Sequence, residues 1–201
     1  MIAQDRIAQL VQTQKVFSGY GLTLIPVVKE DLDRICCWRN NKAIVPLMDN
    51  NFKTNKLSLS LWYNRIKKDY TCLPYIISRN KEAVGYVEFK NFNLQEYSCE
   101  QGVFLDTTFQ SQGIGKKLNL LQEKILKEIN IIYIYFYIRK INVRNIHIWK
   151  TLGAEIVSED ENSIYMKSDK DKRYQELSNV AKRIGMLEEW NEFLNIRAVQ
   201  S

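Results

Sequence analysis

A short segment of this chain, Gln110-Ser-Gln-Gly113-Ile-Gly115, has the residue types of an anion-binding turn. It holds two of the chain's eight glycines, and two lysines and an apolar-periodic run follow it directly. Glycine tolerates positive φ and lets a ligand approach the main chain closely. Free N–H groups at the start of a helix, together with the helix dipole, favour a bound anion. The segment therefore predicts an anionic ligand at a helix N-terminus.

Basic side chains are concentrated around this turn. The chain carries a formal net charge of +6, and residues 107–150 contain eight lysines or arginines against only two glutamates. A polyanionic ligand would be drawn to such a field, although a solvated helix face is the plainer interpretation for most of these lysines. The segment has no recognisable nucleic-acid-binding motif, so a nucleic-acid-binding protein is the weakest reading of the charge.

Carboxylates that could accept a proton lie on the strands before this turn. Alternation along the predicted strand 96–106 places Glu100, Gly102 and Phe104 on one face, and their neighbours face a core. A carboxylate beside a glycine suits a cleft, where it could take a proton from an attacking amine. We identify Glu100 as the candidate base and Glu88, on the preceding strand, as the alternative. A solvent-facing strand carboxylate is the competing interpretation of Glu100.

The hydrophobic patterns predict a single mixed α/β domain around these groups. Strands are predicted at 21–28, 96–106 and 129–138, with hairpins at 74–92 and 154–168, and helices are predicted at 29–41, 57–69, 113–129 and 142–152. We divide the chain into an N-terminal helical extension at 1–20, a domain at 21–168 and a tail of two short amphipathic helices at 169–201.

Several protein classes are disfavoured by composition. No apolar run is long enough to span a bilayer, and charges interrupt the apolar pattern of the N-terminus, so we expect a cytoplasmic protein. The chain has four cysteines without a C-x-x-C pair and one histidine, so we expect no metal site. We interpret the cysteines as reduced and mostly structural.

The order of a strand, Gln110-x-x-Gly113-x-Gly115 and a helix resembles the acetyl-CoA signature of the GNAT N-acetyltransferases. A later stretch, "NVRNIHIWKTLGAEIV", is similar to the family's next motif, with Asn142 before a helix and Gly153 at its end. The resemblance covers residues 21–167 and excludes the tail. It implies an α/β (α+β) GNAT fold, in which helices flank a mixed, mostly antiparallel central sheet, followed here by a short C-terminal helical extension.

The resemblance implies acetyl-CoA as the co-substrate. Backbone amides of the glycine turn would bind its pyrophosphate, and the edge of strand 102–106 would pair with its pantetheine arm. Asn142 would bind the same arm from the opposite side. The expected cofactor-binding residues are Phe104, Leu105, Gln110, Ser111, Gln112, Gly113, Ile114, Gly115, Lys116, Asn142 and Trp149.

One position departs from the family pattern. The family often has a tyrosine, which protonates the leaving thiolate, where this chain has Trp149, and tryptophan has no acidic hydroxyl. Tyr135 and Tyr137 on the adjacent strand are the candidate general acids, and we name Tyr137 as the catalytic one, with water as the alternative. We expect His147, on the same helix as Trp149, to be a surface residue without a catalytic role.

The implied reaction is transfer of acetyl from acetyl-CoA to a primary amine, by direct attack in a ternary complex and without a metal. Tryptophans in the two helices after the first strand are similar to the branches that acetylate nucleotide-linked amino sugars and ribosomal-protein N-termini. We expect Trp38, Arg39, Trp62 and Glu88 to bind the acceptor, and we favour a nucleotide-linked amino sugar. Core packing is the alternative for both tryptophans. A protein N-terminal acetyltransferase and a non-catalytic acyl-CoA-binding module are the alternative functions, and a homodimer is left open.

Overall fold

The structure is a computed structural model that describes residues 3–48 and 53–195. The helices are α1 (Ala3–Thr13), α2 (Leu32–Arg39), α3 (Lys56–Asp69), α4 (Ile114–Glu128), α5 (Val143–Thr151), α6 (Lys170–Arg183) and α7 (Leu187–Asn195). The strands are β1 (Phe17–Gly19), β2 (Leu22–Pro26), β3 (Cys72–Arg79), β4 (Glu82–Asn93), β5 (Ser98–Leu105), β6 (Tyr133–Arg139), β7 (Glu155–Glu159) and β8 (Ser163–Asp169). Among the described residues, no helix has both the length and the apolar character needed to cross a membrane.

All eight strands form one sheet in the order β1-β2-β3-β4-β5-β6-β8-β7. Every neighbouring pair is antiparallel except β5 and β6, which are parallel. The predicted mixed, mostly antiparallel sheet is therefore confirmed. The sequence patterns did not predict β1, because three residues are too few to show an alternation.

The hairpin between β3 and β4 turns at Asn80 and Lys81, which have φ values of 53° and 67°. Two-residue hairpin loops with positive φ at both positions twist in the same sense as the flanking strands. The hairpin predicted at 74–92 is confirmed, and asparagine tolerates its left-handed position better than most residues do.

Two hydrophobic cores lie on the two faces of the sheet. The larger core contains Cys99 and the apolar face of α4, with Val103 and Leu105 packed against it. The smaller core is formed by α2, α3 and the opposite face, and Phe104 packs against it. This alternation along β5 is the one that the sequence predicts.

Both terminal extensions contribute to the larger core. Ile7 of α1 and Trp190 of α7 are fully buried there, together with Leu177 of α6. The boundaries drawn at residues 20 and 168 therefore do not separate independent cores.

A buried ion pair joins the C-terminal extension to α4. The guanidinium of Arg173 donates from Nε to Oε1 of Glu123 at 2.7 Å, and both side chains have 0% exposure. Arg173 also donates to the backbone and the hydroxyl of Ser168. Because α4 begins at the glycine turn, the extension helps to position the helix that carries the predicted anion site.

Candidate active site

The centre of the sheet opens where β5 and β6 diverge. Their pairing covers only Ser98–Glu100 against Tyr133–Tyr135, whereas β5 continues to Leu105 and β6 to Arg139. Beyond Glu100 the β6-facing edge of β5 therefore has no β6 residue paired with it, and a ligand with amide groups could pair with that edge instead.

A cavity of about 530 Å³ begins at this opening and reaches the glycine turn; we call it the cofactor cavity. All of the predicted cofactor-binding residues except Gln112 line it. The side chain of Gln112 instead accepts a hydrogen bond from Arg79 at 2.7 Å. Ten of the twenty residues that line this cavity were thus predicted from the sequence, because they belong to β5, the glycine turn and the segment from Asn142 to Trp149.

The glycine turn leaves open space for a ligand. Gly113 caps α4 with φ of +77°, and a Cβ added to Gly113 or Gly115 would find no atom within 4 Å. The first-turn N–H groups of an α-helix have no intrahelical acceptor. This region of bare backbone fits the pyrophosphate of coenzyme A, and Lys116 lines the same cavity.

Two arginines that the sequence analysis did not select hold this turn. Arg144 of α5 donates to Oγ of Ser111 at 3.3 Å, and Arg79 at the end of β3 donates to Gln112. Arg79 and the turn are more than thirty residues apart in the chain, so no sequence spacing could have revealed the contact. The two guanidiniums fix the turn from two different elements.

Asn142 combines a structural contact with a place in the site. Its side-chain oxygen accepts from the backbone N–H of Asn145 at 3.2 Å and so caps α5. Its amide nitrogen is not needed for this cap, and both Asn142 and Asn145 line the cofactor cavity. A donor at this point suits the expected bond to an amide-rich arm.

A second cavity, of about 140 Å³, adjoins the first at the strand divergence; we call it the transfer cavity. Both candidate bases, Glu88 and Glu100, line it together with Tyr137 and the backbone at Gly102. The two cavities have seven lining residues in common, namely Leu47, Met48, Val103, Phe104, Asn142, Asn145 and Trp149. A group bound where the two cavities meet would therefore share the transfer cavity with the candidate bases.

The two candidate bases differ in how far their oxygens are occupied. Glu88 is buried and accepts from the hydroxyl of Tyr86 at 2.6 Å and from Nζ of Lys90 at 2.9 Å. Burial alone would raise the pKa of Glu88, but Lys90 and the Tyr86 hydroxyl outweigh it, so the pKa is lowered. Glu88 is thus held as a weakly basic carboxylate.

The Glu100 carboxylate has more freedom to contact a ligand. It is half-buried, and one of its oxygens accepts from Nδ2 of Asn91 at 2.8 Å. Its other oxygen accepts no hydrogen bond from any residue that the structure describes. This arrangement favours Glu100 over Glu88 as the base.

Trp149 stands where the family often has a tyrosine, and the structure shows its surroundings and those of the two candidate tyrosines. Trp149 is 2% exposed and stacks on Phe136, with a centroid distance of 3.7 Å. Tyr137 reaches the transfer cavity and donates its hydroxyl to Asp160 at 2.7 Å. Tyr135 stacks on Tyr165 and does not line either cavity. Of the two tyrosines, only Tyr137 lines the transfer cavity.

His147 is exposed, as expected, and it also lines the cofactor cavity. Its place on α5 puts it on the same helix as Arg144, whose side chain lines that cavity too. His147 is therefore a surface residue, as expected, and it lies at the edge of the cofactor cavity.

A third cavity, of about 410 Å³, lies between α2, α3 and β4; we call it the acceptor cavity. Arg39 and Trp62, both predicted to bind the acceptor, line it. Arg39, Tyr86, Glu88 and Lys90 line both this cavity and the transfer cavity. An acceptor could therefore extend from one into the other.

Trp38 does not line any of these three cavities, contrary to the expectation of an acceptor contact. Its side chain is 6% exposed, and its indole N–H donates to Asp106 at 2.7 Å. It packs edge-to-face on Phe104. Trp38 is thus a core residue, because its position on α2 faces the sheet, and this is the alternative that the sequence left open.

Apolar residues in the segment after α2 complete the site. Leu47 and Met48 line both the cofactor cavity and the transfer cavity. The sequence of the segment between α2 and α3 is mostly polar and irregular. The short apolar run "IVPLM" within it is the feature that could have indicated these two lining residues. Leu47 is exposed and places an apolar side chain at the boundary of both cavities.

Comparison with known proteins identifies the family. The sequence signature of the Acetyltransferase (GNAT) family matches residues 36–154, more than half of the chain. The chain belongs to this family, and it is an acetyl-CoA-dependent N-acetyltransferase. The family that the sequence resembles is thereby confirmed, and so is the co-substrate.

Individual relatives are distant. Spermidine N(1)-acetyltransferase of Escherichia coli K12 is 22% identical over 143 residues, which cover 71% of this chain and 77% of that protein. The crystal structure of spermidine N-acetyltransferase from Vibrio cholerae, in complex with CoA and spermine, matches with a TM-score of 0.69 and 20% identity over 77% of this chain and 99% of that chain. An uncharacterized protein from Bacillus halodurans matches with a TM-score of 0.72 and 15% identity over 85% of this chain and 98% of that chain. The names of these relatives do not point to the amino-sugar or ribosomal branches.

Proposed function

We propose that this enzyme acetylates a primary amine of a small molecule by direct attack in a ternary complex. The observation that carries the proposal is the junction of the cofactor cavity and the transfer cavity at Phe104, Asn142 and Trp149. Two substrates bound on the two sides of this junction would meet without leaving the protein. Holding them together in this way can supply much of the rate enhancement.

In the proposed mechanism Glu100 accepts a proton from the amine as nitrogen attacks the thioester carbonyl. A C–N bond forms, the C–S bond breaks, and the electron pair of that bond leaves on sulfur. Tyr137 donates its hydroxyl proton to the thiolate, and water is the alternative donor. Tyr137 would have to release its hydrogen bond to Asp160 for this step.

Direct attack is favoured over an acylated enzyme. Among the described residues that line the cofactor and transfer cavities there is no cysteine. Cys72 lies in the acceptor cavity, but burial and the nearby Glu88 raise the pKa of its thiol well above the usual value, so it would be a poor nucleophile.

Two classes of small acceptor are supported by different observations. The spermidine acetyltransferases among the relatives support a polyamine. The indole of Trp62 and the guanidinium of Arg39 in the acceptor cavity support a nucleotide-linked amino sugar, since they could stack on a ring and bind a phosphate. A basic protein N-terminus would call for an acidic lining, which the described residues of this cavity do not supply. A cytoplasmic location is part of the proposal.

The test is a transfer assay with acetyl-CoA and four acceptor groups. These are spermidine, nucleotide-activated 4-amino sugars, ribosomal N-terminal peptides and simple primary amines, with free CoA thiol and product mass as readouts. We expect acetylated small amines and no acetylated peptide. Acetyl-CoA binding without turnover of any amine would contradict the proposal and would indicate a non-catalytic acyl-CoA-binding module.

A further inference from the structure

The acceptor cavity has an unusual charge for an enzyme whose relatives include polyamine acetyltransferases. The charged side chains that line it, among the residues the structure describes, are Arg39, Arg65, Lys90 and Glu88. Three of these are basic. Glu88, the one carboxylate, is already bonded to Lys90 and Tyr86.

Of the three basic side chains, Arg65 has the most freedom to meet a ligand. Lys90 pairs with Glu88, and Nε of Arg39 donates to Oγ1 of Thr54 at 3.2 Å among its contacts. Arg65 is exposed on α3, and no described residue forms a hydrogen bond or an ion pair with it. A guanidinium in this setting binds a carboxylate or a phosphate through two parallel hydrogen bonds.

The other polar groups of the cavity also suit such a ligand. Hydroxyls of Ser58 and Thr71 and the indole of Trp62 line the same space as Arg65. The distal ammonium groups of a polyamine would lie among like charges here, and like charges at close range repel. An anionic group at the same place would be attracted to them.

We propose that the acceptor is an amine that carries an anionic group, a phosphate or a carboxylate, and that Arg65 binds this group in the acceptor cavity. This inference rests on the proposed function, because it assigns the reacting amine to the transfer cavity. The acceptor then extends past Glu88 and Lys90, which line both cavities. Arg65 is a specificity-determining residue in this arrangement and takes no part in the chemistry.

The experiment compares matched acceptors that differ in one anionic group. Glucosamine 6-phosphate is set against glucosamine, and 4-aminobutanoate against 4-aminobutanamide, with spermidine as the polycation. We expect kcat/KM to be about 10- to 100-fold higher for the anionic member of at least one pair, the worth of a hydrogen bond to a charged group. The pair that shows the preference identifies whether the anionic group of the acceptor is a phosphate or a carboxylate.

Arg65→Glu should remove this preference and leave the KM for acetyl-CoA unchanged. The matched control is Lys68→Glu, which reverses an exposed charge on the same helix outside the cavity and should keep the preference. A preference for spermidine or the neutral members, or a preference that survives Arg65→Glu, would overturn the inference while acetyl transfer still stands.

Calorimetric binding in the presence of CoA separates the inference from the proposed function. Binding of an anionic member that depends on Arg65, without any turnover, would preserve the anion site and reject the transferase mechanism. Absence of binding by both glucosamine 6-phosphate and 4-aminobutanoate would reject the anion site.

Discussion

The carboxylate of Glu88 on β4 lies against Gly102 on β5, its direct partner in the sheet. A Cβ at position 102 would come within 3.1 Å of Oε1 and 3.2 Å of Cγ of Glu88. Because Tyr86 and Lys90 hold this carboxylate, it has little freedom to move away. Because Gly102 has no side chain, the Glu88 carboxylate has space to lie between the transfer and acceptor cavities.

Gly102→Ala should therefore displace Glu88 and narrow the passage between these two cavities. A small misplacement within an active site can cost about 100-fold in rate, so we expect kcat/KM for the acceptor to fall by about 10- to 100-fold. The affinity for acetyl-CoA should not change, since Gly102 does not line the cofactor cavity. Steady-state kinetics with the acceptor varied, together with calorimetry for acetyl-CoA, provide the measurement. Unchanged acceptor kinetics would show that Glu88 can yield.

Gly115→Glu should abolish acetyl-CoA binding without unfolding the domain. Nothing lies within 4 Å of a Cβ at this position, so the new side chain fits the protein but occupies the ligand's space with a negative charge. Gly113 is a poorer choice for this test, because its φ of +77° would strain any other residue. Gly115→Ala is the matched control for the loss of glycine. Normal acetyl-CoA binding by Gly115→Glu, measured by calorimetry on protein with an unchanged circular dichroism spectrum, would show that the cofactor assignment is wrong.

Glu100→Gln should lower kcat by about 10²- to 10⁴-fold, the usual contribution of a positioned base. Acetyl-CoA binding should be preserved, and the loss should shrink at high pH, where more of the amine is already deprotonated. The matched variant is Glu88→Gln. The Glu88 carboxylate lines the same cavity, but both of its oxygens already accept hydrogen bonds. A pH profile of kcat for both variants compares the catalytic contributions of the two carboxylates. Wild-type activity of Glu100→Gln at neutral pH would remove Glu100 from the mechanism.

Arg173→Met should lower the free energy of unfolding by about 3–5 kcal/mol, because it leaves the buried carboxylate of Glu123 without its partner. Arg173→Met combined with Glu123→Leu should recover much of the loss, since no buried charge then remains. Urea denaturation gives both values. The control is Lys172→Met at the adjacent position, which removes an exposed pair with Glu155 and should have a much smaller effect. Equal effects at positions 172 and 173 would mean that the C-terminal extension is not anchored through this pair.

The lowered pKa of Glu88 predicts how stability depends on pH. Since the pKa of Glu88 is lower in the folded chain than in the unfolded chain, its stabilising contribution is complete above the unfolded value of about 4.3. That contribution is lost as pH falls through the folded pKa. From pH 6 down to about pH 4.3, the unfolding free energies of the wild type and of Glu88→Gln should therefore differ by a constant amount, and they should converge as the pH falls further toward about pH 3. A difference between them that stays constant over the whole range would show that Glu88 does not titrate in this way.

Local patterns were sufficient for most of the elements and for half of the residues that line the cofactor cavity. The glycine turn, α4 and Asn142 before α5 depend on residues close together in the chain, where backbone preferences and capping act. Alternation along β5 correctly placed Cys99, Val103 and Leu105 on one face of the sheet and Phe104 on the other. The contact between Arg79 and the turn could not be predicted in this way, because Arg79 ends β3 and Gln112 lies in the turn before α4, far apart in the chain.

The sequence by itself thus determined the mixed sheet and the glycine turn before α4, because short-range periodicity and glycine conformation encode these features, and its motifs resemble those of the family that the comparison confirmed. Only the tertiary structure decided that Trp38 is a core residue and that Trp62 lines a cavity, since which face of a helix packs on the sheet depends on long-range contacts. The tertiary structure also distinguished Glu100 from Glu88. The two carboxylates look alike in the sequence, and their difference arises from the side chains that surround each of them: Tyr86 and Lys90 on one, and Asn91 on the other.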